Sequence, residues 1–278
     1  MMQPFIKIIV IIKKQNMKTQ RIITSVLIIL AALAFNSCEE WGFGCIDGNG
    51  HQTTETRVTT EFDGIEVNGN FDVYVDKSQE TSVLIETDEN LIDLIKTQVR
   101  GNNLVIDTYR DRCLDARHGI VIHVSTPQIS ELILRGSGRI DCNDFEATEL
   151  KVKLEGSGDI NLNYAYADEA YFNISGSGRI SGTVDCNSAD LLVEGSGDIY
   201  LDGTSHVADM EITGSGSIQA KDFITDNCNV TITGSGNATV FASDLLEARI
   251  TGSGTVYYYG NPANVVKEIS GSGKIIER

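Results

Sequence analysis

The chain repeats one serine-containing tripeptide eight times. Gly-Ser-Gly begins at Gly136, Gly156, Gly176, Gly195, Gly214, Gly234, Gly252 and Gly271. A glycine-rich loop can bind phosphate and a serine can be a nucleophile. The first role needs a following Lys-Ser/Thr and a helix, and the second needs a Gly-x-Ser-x-Gly elbow. Neither pattern accompanies these motifs, so eight equivalent serines indicate repeated turns.

Histidine and aspartate show no metal-binding pattern. The histidines have no ligand spacing, and they are His51, His118, His123 and His206. Calcium-binding nonapeptide repeats need an aspartate in every unit, whereas only Asp159 and Asp198 directly follow a Gly-Ser-Gly motif. We therefore predict no metal and no cofactor.

The cysteines are Cys38, Cys45, Cys113, Cys142, Cys186 and Cys228. No CxxC spacing occurs, which excludes a zinc ribbon and a thioredoxin motif. The last three stand at different positions of the repeat, so we expect them to be buried as small apolar residues. One disulfide that uses Cys45 or Cys113 stays open, since an oxidising compartment permits it.

Tyrosines give the one binding signal in the repeat. Tyr257, Tyr258 and Tyr259 follow the seventh motif, and Tyr200 stands at the same offset from its motif as Tyr257. Strand alternation turns Tyr257 and Tyr259 outward. Exposed tyrosines stack on sugar rings or are buried at protein interfaces. The alternative is that these rings simply cover the C-terminal coil.

The residues around each motif predict strands. An aliphatic residue stands two positions before every motif, at Leu134, Leu154, Ile174, Val193, Ile212, Ile232, Ile250 and Ile269. Another apolar residue stands two positions after it, at Ile140, Ile160, Ile180, Ile199, Ile218, Ala238, Val256 and Ile275. This alternation on both sides of a glycine bend is typical of half-buried strands.

A period of 18 to 20 residues with like residues in register indicates a coil and not a hairpin array. We predict an all-β fold: a right-handed parallel β-helix of about eight coils over residues 136–278, with rungs about 4.8 Å apart. In such a stack Arg139, Asp159, Arg179 and Asp198 alternate in sign. Some β-helices are polysaccharide lyases or hydrolases with clustered carboxylates, but Asp141 and Asp159 fall in different columns. We therefore predict no enzyme.

The N-terminus has the features of an export signal. Lys18 and Arg21 precede an apolar stretch over residues 22–35, which is too short for a comfortable membrane span. Ser37-Cys38 resembles the end of a lipobox, where a bacterial signal peptidase cleaves before a lipid-modified cysteine. We predict a signal peptide over 1–37, with Met17 as an alternative start, and a lipid on Cys38. An ordinary signal peptide without lipid is the alternative.

Charge limits the possible partners. The formal charge is −17. The first 37 residues hold five bases and no acid, so the chain from Cys38 onward carries −22. Because a nucleic-acid binder must neutralise phosphates, this charge excludes that class.

The region before the repeat is less regular. Residues 38–57 are rich in glycine, threonine and polar groups, and we expect lipid attachment followed by a tether there. Residues 58–135 are expected to form a β-rich cap. In it residues 65–75 make a degenerate coil around Gly69, Thr87 or Asp88 caps a short helix, and residues 99–107 and 120–124 form strands.

Together these segments resemble the head GIN domain family, whose description as autotransporter adhesins is itself an inference. The resemblance rests on FDGIEVNGNFDVYV (62–75), DENLIDLI (88–95), the pair Thr126-Pro127 and the repeated GSG-x-I. It covers residues 58–278. The family implies a β-helix and no established biochemical activity.

Three functions are consistent with the sequence. The first is a non-enzymatic lipoprotein of the outer membrane, on the cell surface or the periplasmic face, which binds a glycan or protein along an elongated face at Tyr200, Tyr257 and Tyr259. The second is a structural module whose coils stack into homo-oligomers. The third is a carbohydrate-active enzyme with an unrecognised site.

Overall fold

A computed structural model describes residues 44–278, and almost all of its regular structure is β-strand. The strands are β1 Ile46–Asp47, β2 Gln52–Arg57, β3 Gly64–Gly69, β4 Asp72–Lys77, β5 Ser82–Asp88, β6 Ile95–Arg100, β7 Asn103–Thr108, β8 Leu114–Asp115, β9 Val121–Thr126, β10 Glu131–Gly136, β11 Arg139–Cys142, β12 Phe145–Gly156, β13 Asp159–Gly176, β14 Arg179–Gly195, β15 Asp198–Gly214, β16 Ser217–Gly234, β17 Asn237–Phe241, β18 Leu245–Gly252, β19 Thr255–Tyr259, β20 Asn264–Gly271 and β21 Lys274–Glu277. Two single 3₁₀ turns, Ile92–Leu94 and Tyr109–Asp111, interrupt them.

Parallel pairing in register builds a β-solenoid of about 7 turns. Strands β13 to β16 each run from one Gly-Ser-Gly bend to the next, and each pairs with its neighbour along nearly its whole length. The predicted parallel β-helix is confirmed. The sequence predicted about eight coils, and the structure has about 7 turns.

Side chains alternate between the inside and the outside along each strand. Residues paired in register on successive rungs form a column, and each inward column places one apolar side chain on each rung. Ile160, Ile180 and Ile199 lie directly opposite one another in successive strands, and each is 0% exposed. Neighbouring columns behave in the same way, so the core is continuous along the stack. Each coil has apolar contacts on both sides, as expected of repeats that cannot bury their faces alone.

The bends are hydrogen-bonded to one another. The carbonyl of Gly156 accepts from the N–H of Ser177 at 2.9 Å and of Gly178 at 3.2 Å. Gly176 has φ +139°, which side chains rarely adopt, whereas Gly178 does not have a positive φ. A Cβ on Gly178 would nevertheless lie 2.2 Å from the carbonyl oxygen of Gly158. The first glycine is therefore needed for its conformation and for close backbone approach, and the second for close approach alone.

The predicted charge ladder is in register. Arg139, Asp159, Arg179 and Asp198 are direct neighbours on successive rungs. Arg139 and Asp159 approach to 3.9 Å. Arg179 lies beside an aromatic ring, with its guanidinium carbon 5.4 Å from the ring centroid of Tyr200.

The N-terminal cap continues the coil and then closes it. As predicted, β3 and β4 form a degenerate rung around Gly69, pairing in parallel with β10 and β11. Strands β7 and β9 cover this rung and pair in parallel with β3 and β4. Beyond them the pairing becomes antiparallel, between β6 and β7, β5 and β9, and β2 and β5, which closes the end of the solenoid.

The expected short helix is smaller than predicted, and its predicted caps are wrong. It is the single 3₁₀ turn Ile92–Leu94, with no side-chain cap. Thr87 and Asp88 belong to β5 and are held extended by pairing with β2. The Asp88 carboxylate accepts a hydrogen bond from the backbone N–H of Arg117 at 2.7 Å, so it is committed elsewhere.

The predicted tether over residues 38–57 is wrong from Cys45 onward, because that part is folded. Strand β2 pairs with β5, and Cys45 forms a disulfide with Cys113. Buried Asp88 lies beside this attachment, within 3.4 Å of Nδ1 of His118. The segment that begins at Cys45 is thus joined to the rest of the cap by a disulfide and by strand pairing.

Candidate functional site

One outward-facing column of the solenoid combines aromatic and polar side chains. We call it the tyrosine column, and its members are Tyr74, Asp141, Asn161, Ser181, Tyr200, Gln219, Thr239, Tyr257 and Ile276. Each stands one residue after an apolar residue of the inner wall, so alternation turns it to the outside. The column runs along one continuous strand face for the length of the stack.

Register fixes the distance between the rings. Tyr200 and Tyr257 are three rungs apart, which is about 14 Å at the usual strand spacing. Gln219 and Thr239 occupy the two rungs between them. The side chain of Tyr200 is 38% exposed, and Tyr257 is half-buried. The equal motif offset that marked these two tyrosines in the sequence therefore places them in one column.

Hydrogen bonds order the polar part of the column. The amide of Asn161 donates to Asp141 Oδ1 at 2.6 Å, and Ser181 Oγ donates to Asn161 Oδ1 at 2.7 Å. Such a ladder holds donors and acceptors at fixed positions on the surface. The face therefore offers flat aromatic contacts and preorganised polar groups together.

The column beside it is electrically balanced. It contains three acids and three bases, namely Asp72, Asp159, Asp198, Arg139, Arg179 and Lys274. The whole chain carries −17. This face is consequently far less acidic than the protein average, which removes a barrier to uncharged ligands and gives no attraction for polyanions.

A guanidinium lies beside each of the two rings. The guanidinium carbon is 5.4 Å from the centroid for Arg179 and Tyr200, and 4.7 Å for Arg278 and Tyr257. Such contacts restrict ring rotation and lower the entropy lost when a ligand binds. The sequence did not reveal Arg278 as a partner, because the two residues stand on neighbouring rungs at different offsets.

The three consecutive tyrosines point to two sides of the wall. Tyr258 is 3% exposed and faces the core, whereas Tyr257 and Tyr259 are half-buried on the outside. Tyr259 lies opposite Phe241 on the preceding rung. The outer surface of the last turns thus has an aromatic pair beside Tyr257.

Cys38, the predicted lipid site, lies outside the described residues. Cys142, Cys186 and Cys228 are free and buried, as expected, and burial raises the pKa of the Cys228 thiol to about 12. A thiol with this pKa is a poor nucleophile at neutral pH.

A pair of aligned carboxylates escaped the sequence analysis. Asp190 and Asp209 face each other on adjacent rungs of another outward column. Burial, followed by repulsion from Asp209 and Glu169, raises the pKa of Asp190 above its usual value. Comparing equal offsets in the fourth and fifth repeats would have found the pair. Both side chains lie on an exposed sheet face, so they lack the enclosed cleft in which general acids usually work.

Residues 44–278 lack two features. No set of three or more His, Cys, Asp or Glu side chains is placed to hold a metal ion there. Nor is any helix within this part of the chain long and apolar enough to cross a membrane.

Comparison with known families and structures places this architecture. A family described as "Putative auto-transporter adhesin, head GIN domain" matches residues 61–262. No curated protein sequence matches the chain.

Solved structures of similar proteins have the same fold. A "putative lipid binding protein" from Parabacteroides distasonis is 28% identical, with a TM-score of 0.78 over 84% of this chain and 100% of that one. A "putative adhesin" from Parabacteroides merdae is 25% identical, with a TM-score of 0.80 over 84% of this chain and 98% of that one. A second P. distasonis "putative adhesin", 22% identical with a TM-score of 0.76, covers 84% of this chain and 100% of its own.

Proposed function

This chain belongs to the head GIN domain family, and from that premise we propose that it is a non-enzymatic adhesin that binds an uncharged glycan along the tyrosine column. The observation that carries the proposal is the alignment of Tyr200 and Tyr257 in one column, three rungs apart, with Gln219 and Thr239 between them. Sugar rings present apolar C–H faces and polar hydroxyl edges. Aromatic rings alternating with amides and hydroxyls match both.

The charge pattern favours a neutral glycan over an acidic one. The chain from Cys38 onward carries −22, which repels a polyanion at long range. The column next to the tyrosines is balanced between acids and bases, so an uncharged chain meets no such barrier there. A lipid ligand, suggested by the description of one similar structure, would need an apolar pocket, whereas the groups between the tyrosines are polar.

Location follows from the sequence features at the N-terminus. We propose export by the signal over residues 1–37 and a lipid on Cys38 that holds the protein at the outer membrane, on the cell surface or the periplasmic face. The adhesin description of the family agrees with a surface or secreted protein.

A glycan array tests the proposal, with purified wild-type protein and the double variant Tyr200→Ala, Tyr257→Ala. Aromatic contacts contribute about 0.5–1.5 kcal/mol each, so the double variant should bind a retained neutral glycan roughly 5- to 150-fold more weakly. Tyr166→Ala is the matched control, since Tyr166 is 46% exposed and stands outside the column.

Three results would reject the proposal. The first is an array with no retained neutral glycan, and the second is binding that survives loss of both column tyrosines. The third is equal weakening by Tyr166→Ala. Retention of a protein, with no glycan, would instead favour a protein ligand for this family member.

A further inference from the structure

The two ends of the solenoid differ. At the N-terminal end, strands β7 and β9 of the cap cover the first rung, and antiparallel strands pair with them in turn. At the other end, β20 pairs only with β18, and β21 pairs only with β19, among the described residues. The last rung therefore presents two strand edges whose outer hydrogen-bonding groups have no neighbouring strand.

This last rung also exposes side chains of core columns. Val265 lies over Leu246, and Ile269 lies over Ile250. The lower members are 0% and 2% exposed, whereas Val265 is 38% and Ile269 is 47% exposed. The difference arises because no further rung of residues 44–278 covers this one.

Two charged residues interrupt the core columns at this rung. Lys267 continues the column of buried Ala248, and Glu277 continues the column of Tyr258. Lys267 Nζ donates to the Tyr258 hydroxyl at 3.0 Å, and that hydroxyl donates to Glu277 Oε2 at 3.2 Å. One wall of the open end thus carries an ammonium group, and the other wall carries a carboxylate.

We propose that the last rung is a dimer contact with a second copy of this chain, end to end and related by a two-fold axis. In a two-fold contact, residue i meets j and j meets i. An axis parallel to the strands lays β20 of each copy over β21 of the other. Each Lys267 then meets Glu277 of the second copy, and Val265 and Ile269 are covered.

Charge does not oppose self-contact at this end. Residues 264–278 contain three bases and two acids, whereas the whole chain carries −17. The net negative charge of the rest of the chain repels a second copy, and the last rung adds nothing to that repulsion. The cap blocks stacking at the other end, so association stops at two copies and does not continue into a filament.

The dimer would place the two caps at opposite ends of a rod. Cys45 is bonded to Cys113 in the cap, so the chain enters each copy at its covered end. If lipid on Cys38 anchors the protein, as in the proposed function, two copies on facing membranes would be joined through their free ends. This consequence rests on the proposed anchoring, and the dimer contact itself does not.

Charge reversal gives a sharp test of the contact. Sedimentation equilibrium of the purified protein over a wide concentration range should show a monomer–dimer equilibrium. Lys267→Glu alone places four carboxylates at the contact, and Glu277→Lys alone places four ammonium groups there. Each variant should dimerise at least about tenfold more weakly, because facing like charges are strongly unfavourable. An equimolar mixture of the two variants should recover a heterodimer, since each supplies the charge that the other lacks.

The mixture separates association from folding. Both variants disturb the same network around Tyr258, so a general loss of structure would not be repaired by mixing, and circular dichroism of each variant checks its fold. A wild-type protein that is monomeric throughout would overturn the inference. So would a dimer that both reversals leave unchanged, or a mixture that does not associate. Glycan binding by Tyr200 and Tyr257 is measured separately, so failure of the dimer leaves that proposal standing.

Discussion

The doubled glycines permit a prediction in which two physical effects are separated. Gly176 has φ +139°, and a Cβ built on it would lie 2.2 Å from the carbonyl oxygen of Gly156. Gly178 has the same close approach, to Gly158, without a positive φ. Gly101 has φ +63° and nothing within 4 Å of the added Cβ. Gly176→Ala therefore tests both effects together, Gly178→Ala tests close approach alone, and Gly101→Ala tests conformation alone.

The expected costs follow from these geometries. Gly101→Ala should lower the free energy of unfolding by about 1–2 kcal/mol, the usual penalty of the left-handed region. Gly178→Ala should cost about 1–3 kcal/mol, because the backbone of the neighbouring bend must move to admit the methyl group. Gly176→Ala combines both, at about 2–5 kcal/mol, and also disturbs the carbonyl that binds the next bend.

Urea unfolding followed by circular dichroism, with the free energy taken from midpoint and slope, measures all three variants. The decisive comparison is the order of the costs. If Gly176→Ala cost no more than Gly101→Ala, close packing between bends would contribute nothing, and the explanation given for the two glycine columns would be wrong.

Three further outcomes are expected. Ile180→Ala should lower the free energy of unfolding in urea by about 2–5 kcal/mol, whereas replacing exposed Arg179 with Ala should lower it by under about 1 kcal/mol. The reverse order would show that the inward and outward side chains are assigned wrongly. Burial opposes ionisation of Asp88, but hydrogen bonds from the Arg117 backbone and from His118 outweigh it and hold the Asp88 pKa below its usual value. The stabilisation of the folded state by ionised Asp88 is thus complete above about pH 3.9 and is lost as the pH falls through the lowered pKa. Thermal unfolding measured from about pH 5 to 2 should show this loss of stability. In the Asp88→Asn variant the loss over the same pH range should be smaller. Cys38→Ala should abolish labelling by a fatty-acid analogue, and a labelled variant would disprove the lipid site.

The repeat made most of the solenoid predictable from sequence. Like residues at equal offsets stack in a coil. Aligning the eight motifs therefore predicts that Ile180 faces the core and that Arg179 faces outward. Both predictions are confirmed, since Ile180 is buried and Arg179 is exposed. The same alignment placed Tyr200 and Tyr257 in one column. The alignment also places Asp190 and Asp209 at equal offsets, five residues before their motifs, where no recurring apolar or glycine position marks them.

The cap could be predicted only in part, because its sequence offers no second copy to align. Strands around Gly69 and after Gly101 show local alternation or a turn signal, and both were expected. The pairing of β2 with β5 joins strands of unrelated sequence, and the fold of the segment after Cys45 depends on that pairing. For this reason the composition of residues 38–57 predicted a tether. The choice of Cys113 as the partner of Cys45 is likewise a tertiary property.

Departures from a column's pattern carry more functional information than the pattern itself. Every rung needs an apolar residue inside and a glycine at the bend, so the repeated residues report only on stability. Tyr200 and Tyr257 stand in an outward column next to Ser181, Gln219 and Thr239, and the proposed ligand accounts for the two aromatic rings. Lys267 and Glu277 replace apolar residues of two inward columns at the rung where the stack ends. A rung that served only to end the solenoid would have charged or polar residues at all of its inward positions. This rung has charges at Lys267 and Glu277 but keeps apolar, exposed side chains at Val265 and Ile269. Apolar residues around a complementary pair of charges are the arrangement of an interface, which supports the proposal that the free end, and not only the face, takes part in recognition.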